Sequence, residues 1–196
     1  MAIYQTNERT NTNTRNKNHA QKRVEHVGDT RSVIPPQSLP EGASELDKQI
    51  SRVLAGILAD NYLLRLKVQE IHWNVEGPLF DSIHKMTEEY YTVLDGDIDE
   101  LAERIRMKKF FAPANFKTYD SLSILSFDEE AQTAKEMIEH LTRDIDFVVS
   151  RFKDGIEAAE EAKDPGTADL LTAFLQHHEK YLWMFSSLLG GSSVKL

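Results

Sequence analysis

The chain has 196 residues and no cysteine. That excludes disulfide staples and thiolate metal ligands, and it suits a reducing compartment. Nowhere do apolar residues continue for the 18 or so positions that a membrane span needs. The first residues, MAIYQTNERT, lack the apolar run of a secretory signal. No strand-like alternation of useful length appears either. Missing, too, is the Glu-x-x-His motif of an ordinary di-iron bundle. The residues three before His72, His84, His140, His177 and His178 are Gln69, Asp81, Met137, Phe174 and Leu175. These absences predict a cytoplasmic, all-α chain without a membrane partner, and they direct any metal chemistry away from the interior of a single bundle.

What is present reads as four long helices. Ser44-Glu-Leu-Asp47 has the form of a capping box. After it, Ile50, Val53, Leu54, Ile57, Leu58, Leu64 and Ile71 recur at three- and four-residue spacing until Gly77-Pro78. A second helix is expected from about Phe80 to Met107, with Arg104, Arg106, Lys108 and Lys109 suited to its C-terminal dipole. The stretch from Phe110 to Leu125, with Pro113, is a long connection with room for a short helix. Ser126-Phe-Asp-Glu129 reads as another capping box, opening a third helix whose apolar side is Met137, Leu141, Ile145, Val148, Phe152 and Ile156. Asp164-Pro165 has the form of an N-cap followed by proline at the first helical position. Leu171, Phe174, Leu175, Leu182, Phe185 and Leu189 follow, and Gly190-Gly191 ends the fourth helix. The expected organisation is a tail over 1–43, a four-helix bundle with one long crossover over 44–189, and a short tail over 190–196.

Charge is uneven. Residues 1–40 carry Arg9, Arg15, Lys17, Lys22, Arg23 and Arg31 against Glu8, Glu25 and Asp29, a net of +3. The whole chain carries −9, so the remainder carries −12. This arm is too poor in apolar residues to fold alone, and Ile34-Pro35-Pro36 and Leu39-Pro40 make a stiff lead-in to the first helix. A basic arm on an acidic body suits phosphate neutralisation on DNA, and an assembly would multiply the weak contact of one arm. A solubilising arm is the plainer alternative.

The stretch from Lys67 to Arg106 holds the chemistry. Imidazole and carboxylate suit iron, zinc or manganese. With His84 at zero and 100° per residue, Glu88 falls at about 40°, Asp99 at about 60° and Glu103 at about 100°. They share one face, flanked by Ile83, Met86, Val93, Leu94 and Ile98. A solvated acidic surface is the commonest origin of such a face. Yet Glu88 and Asp99 lie roughly 16 Å apart along the axis, too far for one metal within one chain. The pairs 84 with 103 and 88 with 99 share one midpoint, between Val93 and Leu94. A two-fold axis there sets His84 against Glu103 and Glu88 against Asp99 of an antiparallel copy, giving two identical sites at a dimer interface.

His72-Trp-Asn74, Gly77, Phe80, His84 and the D-E-L-A-E-R run at 99–104 resemble the signature of the Dps family, the bacterial mini-ferritins. The resemblance continues through T-A-D-L-L-T at 167–172 and Y-L-W-M-F at 181–185, covering about residues 44 to 189. It implies a ferritin-like bundle in a hollow homo-dodecamer. It also implies a ferroxidase centre of His72, His84 and Glu88 completed by Asp99 and Glu103 of the two-fold mate. Fe(II) would be oxidised by hydrogen peroxide or oxygen and stored as Fe(III) mineral. The family most often has aspartate where this chain has Glu88, which puts metal spacing at that position in question. In relatives, acidic residues near Glu157, Glu160, Glu161, Asp164 and Asp169 line a three-fold pore; Asp169, Asp164 and Glu160 are the candidates here, against a plain solvated face. Basic tails in the family often bind DNA, which would associate the protein with the nucleoid. The rival reading is a DNA-condensing structural protein whose site is vestigial or held by zinc. Outside the site, His178 falls on an apolar stripe and reads as core, and His177 and His140 read as surface. Trp73 and Trp183 read as core or interface packing.

Overall fold

The computed structural model describes residues 41–127 and 131–190. The basic arm with its six cationic residues, the proline lead-in, Asp128-Glu-Glu130 and the tail beyond Gly190 lie outside the described residues. Four long helices and one short one form, and no strand occurs among the described residues. They are α1 (Glu45–Asn74), α2 (Phe80–Met107), α3 (Phe116–Leu122), α4 (Ala134–Glu161) and α5 (Pro165–Leu188). None of these helices is long and apolar enough to cross a membrane.

The caps explain where the helices begin. Ser44 accepts the Asp47 N–H at 3.1 Å and donates its hydroxyl proton to the Asp47 carboxylate at 2.6 Å. Only half of the expected box forms, because aspartate is one methylene too short to reach back to the Ser44 backbone. At α5 the expectation and the structure agree: Asp164 accepts the Thr167 N–H, and Pro165 occupies the first turn. Gly190, at φ +87°, follows the helix in the left-handed region that glycine takes without strain.

The third long helix does not begin at Ser126. Thr133 accepts the Glu136 N–H at 3.2 Å while the Glu136 carboxylate accepts the Thr133 N–H at 3.0 Å, a complete reciprocal box seven residues later. The physical reason lies in α1. Asp60, fully buried, accepts the Ser123 hydroxyl at 2.7 Å and the Ile124 N–H at 2.8 Å. Those bonds hold the chain after α3 in a non-helical course, and Arg151 of α4 stands 3.4 Å from the other Asp60 oxygen. A Cβ on Gly56 would lie 2.1 Å from the Arg151 guanidinium, so only glycine admits that approach.

Short links join α1 to α2 and α4 to α5, so each pair runs antiparallel. The pairs pack through α1 against α4, and α3 lies against α1. Leu54, Ile57, Leu64, Leu94, Leu101, Ile145, Phe152 and Phe185 are among the fully buried side chains between them. Trp73 and Trp183 are not core residues of the subunit: they are 65% and 64% exposed.

Candidate metal centre

α1 ends two residues after His72, and α2 starts four residues before His84. The link turns through Gly77 at φ +104°, and Phe80 N–H closes it onto the Gly77 carbonyl at 3.0 Å. The turn stacks the two imidazoles face to face, with ring centroids 3.8 Å apart. Each ring is fixed by the other residue's backbone. His72 Nδ1–H donates to the His84 carbonyl and His84 Nδ1–H donates to the His72 carbonyl, both at 2.8 Å. A carbonyl can only accept, so both protons sit on Nδ1 and both Nε2 atoms keep a free lone pair. A histidine metal ligand needs this arrangement, with one nitrogen anchored and the other open.

Three further side chains hold the pair. The Thr87 hydroxyl oxygen stands 3.3 Å from His72 Nδ1 and donates to the Ile83 and His84 carbonyls. Phe80 stacks on His84 with centroids 5.0 Å apart, and Tyr91 meets His72 edge-on at 5.3 Å. Of these supports Phe80 belongs to the signature read from the sequence, whereas Thr87 and Tyr91 are not singled out there. Thr87 at three residues after His84 was the available signal, since positions three apart are neighbours on a helix.

Glu88, Asp99 and Glu103 are exposed on α2. None of the three makes an ion pair or side-chain hydrogen bond among the described residues, whereas Asp60, Asp95, Asp97, Asp144 and Asp164 are all engaged. Within one subunit no three His, Asp or Glu side chains stand close enough to share a metal, again among the described residues. The structure brings His72 and His84 together and leaves the acids open along the same helix.

The other candidate residues are placed as follows. Glu157, Glu160, Glu161 and Asp169 are exposed, with carboxylates facing solvent in the subunit. Asp164 differs, because Arg104 at 2.6 Å, Lys108 at 3.0 Å and Thr167 at 2.7 Å all bind its oxygens. Burial alone would raise its pKa, but these hydrogen bonds and charges prevail and hold it down at about 2. His140 is half-buried and lines an open cleft of about 570 Å³ with Lys67, Phe127 and Asp144. His177 keeps a half-exposed side chain and places Nδ1 3.0 Å from Asp97. Burial pushes Asp97 up to about 6, the His177 hydrogen bond and charge pull it back, and Glu100 adds to the rise. His178 is fully buried, with Nδ1 2.7 Å from the Tyr90 hydroxyl, and burial lowers its pKa to about 3.

Comparison with known proteins agrees with this architecture. The ferritin-like domain family matches residues 52–192. A protein named DNA protection during starvation protein 2, from Bacillus anthracis, is 34% identical over 145 residues, covering 74% of this chain and 99% of that one. The crystal structure of a Dps protein from Bacillus brevis superposes with a TM-score of 0.72 at 30% identity, over 75% of this chain and 99% of that one. A Dps protein from Vibrio cholerae, described as a ferritin-like diiron-carboxylate protein, gives 0.70 at 26% identity, over 74% of this chain and 91% of that one.

Proposed function

The chain belongs to the Dps family of ferritin-like proteins, and from that premise we propose that it is a ferroxidase that oxidises Fe(II) and stores the Fe(III) product inside a homo-dodecameric cage. The observation that carries the reading is the His72–His84 pair, whose reciprocal backbone bonds leave both Nε2 lone pairs open on rings stacked 3.8 Å apart. Among the described residues, one subunit supplies no third ligand near them. The open carboxylates of α2 supply the rest when a second copy lies antiparallel across the midpoint of the helix. His72, His84 and Glu88 of one chain then face Asp99 and Glu103 of the other. Imidazole binds the ferrous substrate on entry, and hard carboxylates favour the ferric product. Such a site takes zinc as readily, so zinc is an inhibitor of this activity. The exposed Glu160 and Asp169 would attract cations towards the cage interior, because grouped carboxylates concentrate counter-ions. Asp164 is committed to Arg104 and Lys108 and contributes less free charge.

Stopped-flow absorbance tests the activity. Protein loaded anaerobically with Fe(II) and mixed with hydrogen peroxide should form Fe(III) far faster than free Fe(II) at the same pH. Equal rates would sink the enzyme reading and leave the rival, a structural DNA-condensing protein with an inert or zinc-held site.

DNA contact is the second reading, and the charge split between arm and body favours it. We place the arm at 1–43, ahead of a bundle at 44–189. Deleting residues 1–40 should abolish gel retardation at low salt, and binding by the intact chain should weaken steeply as salt rises. Retardation that survives the deletion would move the contact to the body.

A further inference from the structure

Behind the candidate metal face, α2 carries a second pair that the ligand set does not use. Tyr90 and His178 are both 0% exposed, and the phenol oxygen lies 2.7 Å from His178 Nδ1. Burial depresses the His178 pKa and keeps the ring neutral, and among the described residues the phenol has no other acceptor, so its proton points at Nδ1. The opposite ring nitrogen, Nε2, is buried and meets no partner among the described residues. A sheath of rings closes around them. Tyr181 stacks on Tyr90 with centroids 4.2 Å apart, and Phe152 lies 4.7 Å from His178. Packing alone would be served by phenylalanine and leucine at these positions, without burying a hydroxyl and an imidazole.

The pair is also connected to the metal face. Thr87, whose hydroxyl touches His72 Nδ1, lies three residues before Tyr90 and is its neighbour on the helix. One helix, about 10 Å across, separates the phenol from the open carboxylates.

We propose that Tyr90 and His178 form a redox pair that lends the site one electron when a single Fe(II) is bound. This rests on the ferroxidase reading, and the need follows from electron counting. Hydrogen peroxide takes two electrons, whereas each Fe(II) gives one. With one Fe(II) present, the iron and Tyr90 each give one electron, the O–O bond breaks, and two protons from solvent complete two waters. The phenolic proton passes to His178 Nδ1, leaving a neutral tyrosyl radical beside an imidazolium. An oxidised phenol is a strong acid, so even this weakened imidazole accepts its proton. Asp97 acts on the Tyr90 phenol electrostatically and offsets the new positive charge. A second Fe(II) then returns the electron, and the proton moves back to the phenol. The sum is two Fe(II), one peroxide and two protons giving two Fe(III) and two waters, with no hydroxyl radical released.

The test uses the full-length assembled protein. Load it with less than one Fe(II) per site, mix with peroxide, freeze, and record electron paramagnetic resonance. A tyrosyl signal is expected, with hyperfine splitting that collapses when ring-deuterated tyrosine is incorporated. Tyr90→Phe should lose it, whereas Tyr62→Phe, on the α3 side of α1, should keep it, and spin-trapped hydroxyl radical should rise in Tyr90→Phe. His178→Gln keeps a hydrogen-bond acceptor but not a base, so the radical should vanish although the fold, checked by circular dichroism, survives. A metal-free arm oxidises the protein with a photoexcited ruthenium complex, and it should generate the same Tyr90 radical. Fast Fe(III) formation with no tyrosyl signal, or a signal unchanged in Tyr90→Phe, overturns the redox pair and spares the ferroxidase. Fe(II) oxidation no faster than in buffer overturns the ferroxidase, and with it the electron-lending role, whatever the metal-free arm shows.

Discussion

Asp164 performs three tasks from one position. It caps α5, and it binds Arg104 and Lys108 of the α2 end while its side chain is only 12% exposed. Its folded pKa of about 2 lies below the ordinary aspartate value, so the ionised form is stabilised by folding. The contribution is present above the unfolded pKa and is lost as pH falls through the folded one. A displacement of this size corresponds to about 2 kcal/mol. Asp164→Asn keeps a good N-cap and removes the charge, so at pH 7 it should cost about that much in chemical denaturation. Near pH 2 wild type and variant should converge. An equal loss at both pH values would trace the effect to the cap geometry and not to the charge. At this scale the sequence showed residue types well and atoms poorly. His72 and His84 were legible as candidate ligands from their types and spacing, and the structure brings their rings together. Which ring nitrogen carries the proton depends on two carbonyls that come within reach only when the Gly77 turn closes.

Between elements, the buried Asp60 ties α1 to the crossover and to α4. Gly56, one turn earlier on α1, leaves the gap through which the Arg151 guanidinium arrives. Gly56→Ala should gain about 1 kcal/mol of helix propensity. It should lose about 3 kcal/mol by pushing Arg151 off a buried carboxylate. The net expectation is destabilisation, read in denaturant midpoints. In an Arg151→Leu background the same alanine should cost little, because the guanidinium is already gone; an undiminished cost there would rule out displacement of Arg151. This three-way contact explains why helix existence was readable and one helix start was not. Apolar spacing at three and four residues marked all four long helices. The sequence pointed to a box at Ser126, whereas the complete box forms at Thr133, and a long-range bond from Asp60 holds Ile124 off a helical course. Local pattern contains no term for a partner 64 residues away.

For the whole molecule, the decisive feature is that the candidate ligands of α2 fall into two sets, His84 with Glu88 and Asp99 with Glu103. One variant, His84→Ala with Glu88→Ala, destroys the first set; another, Asp99→Ala with Glu103→Ala, destroys the second. Each alone should be inactive. Unfolded and refolded together, half of the dimers are mixed, and each mixed dimer has one site with all its ligands, so about a quarter of all sites should recover. Near-zero activity in a mixture shown by mass to contain hybrids would sink the shared site. The midpoint symmetry that suggests this pairing was present in the bare sequence, because helical rise and rotation convert residue numbers directly into positions. The aromatic pair behind it was not, since nothing in the spacing of Tyr90 and His178 shows that they meet across the bundle.

The two sets also differ in when they come into being. His72 and His84 are twelve residues apart and joined by one tight turn, so a single chain completes that half as it folds. Asp99 and Glu103, exposed on α2, would meet that half only by association, which obeys mass action. On the shared-site reading, a dilute, newly made subunit is therefore a weak, harmless iron binder. Oxidation begins only once subunit concentration exceeds the dissociation constant of the dimer, so the abundance of the protein itself acts as its switch.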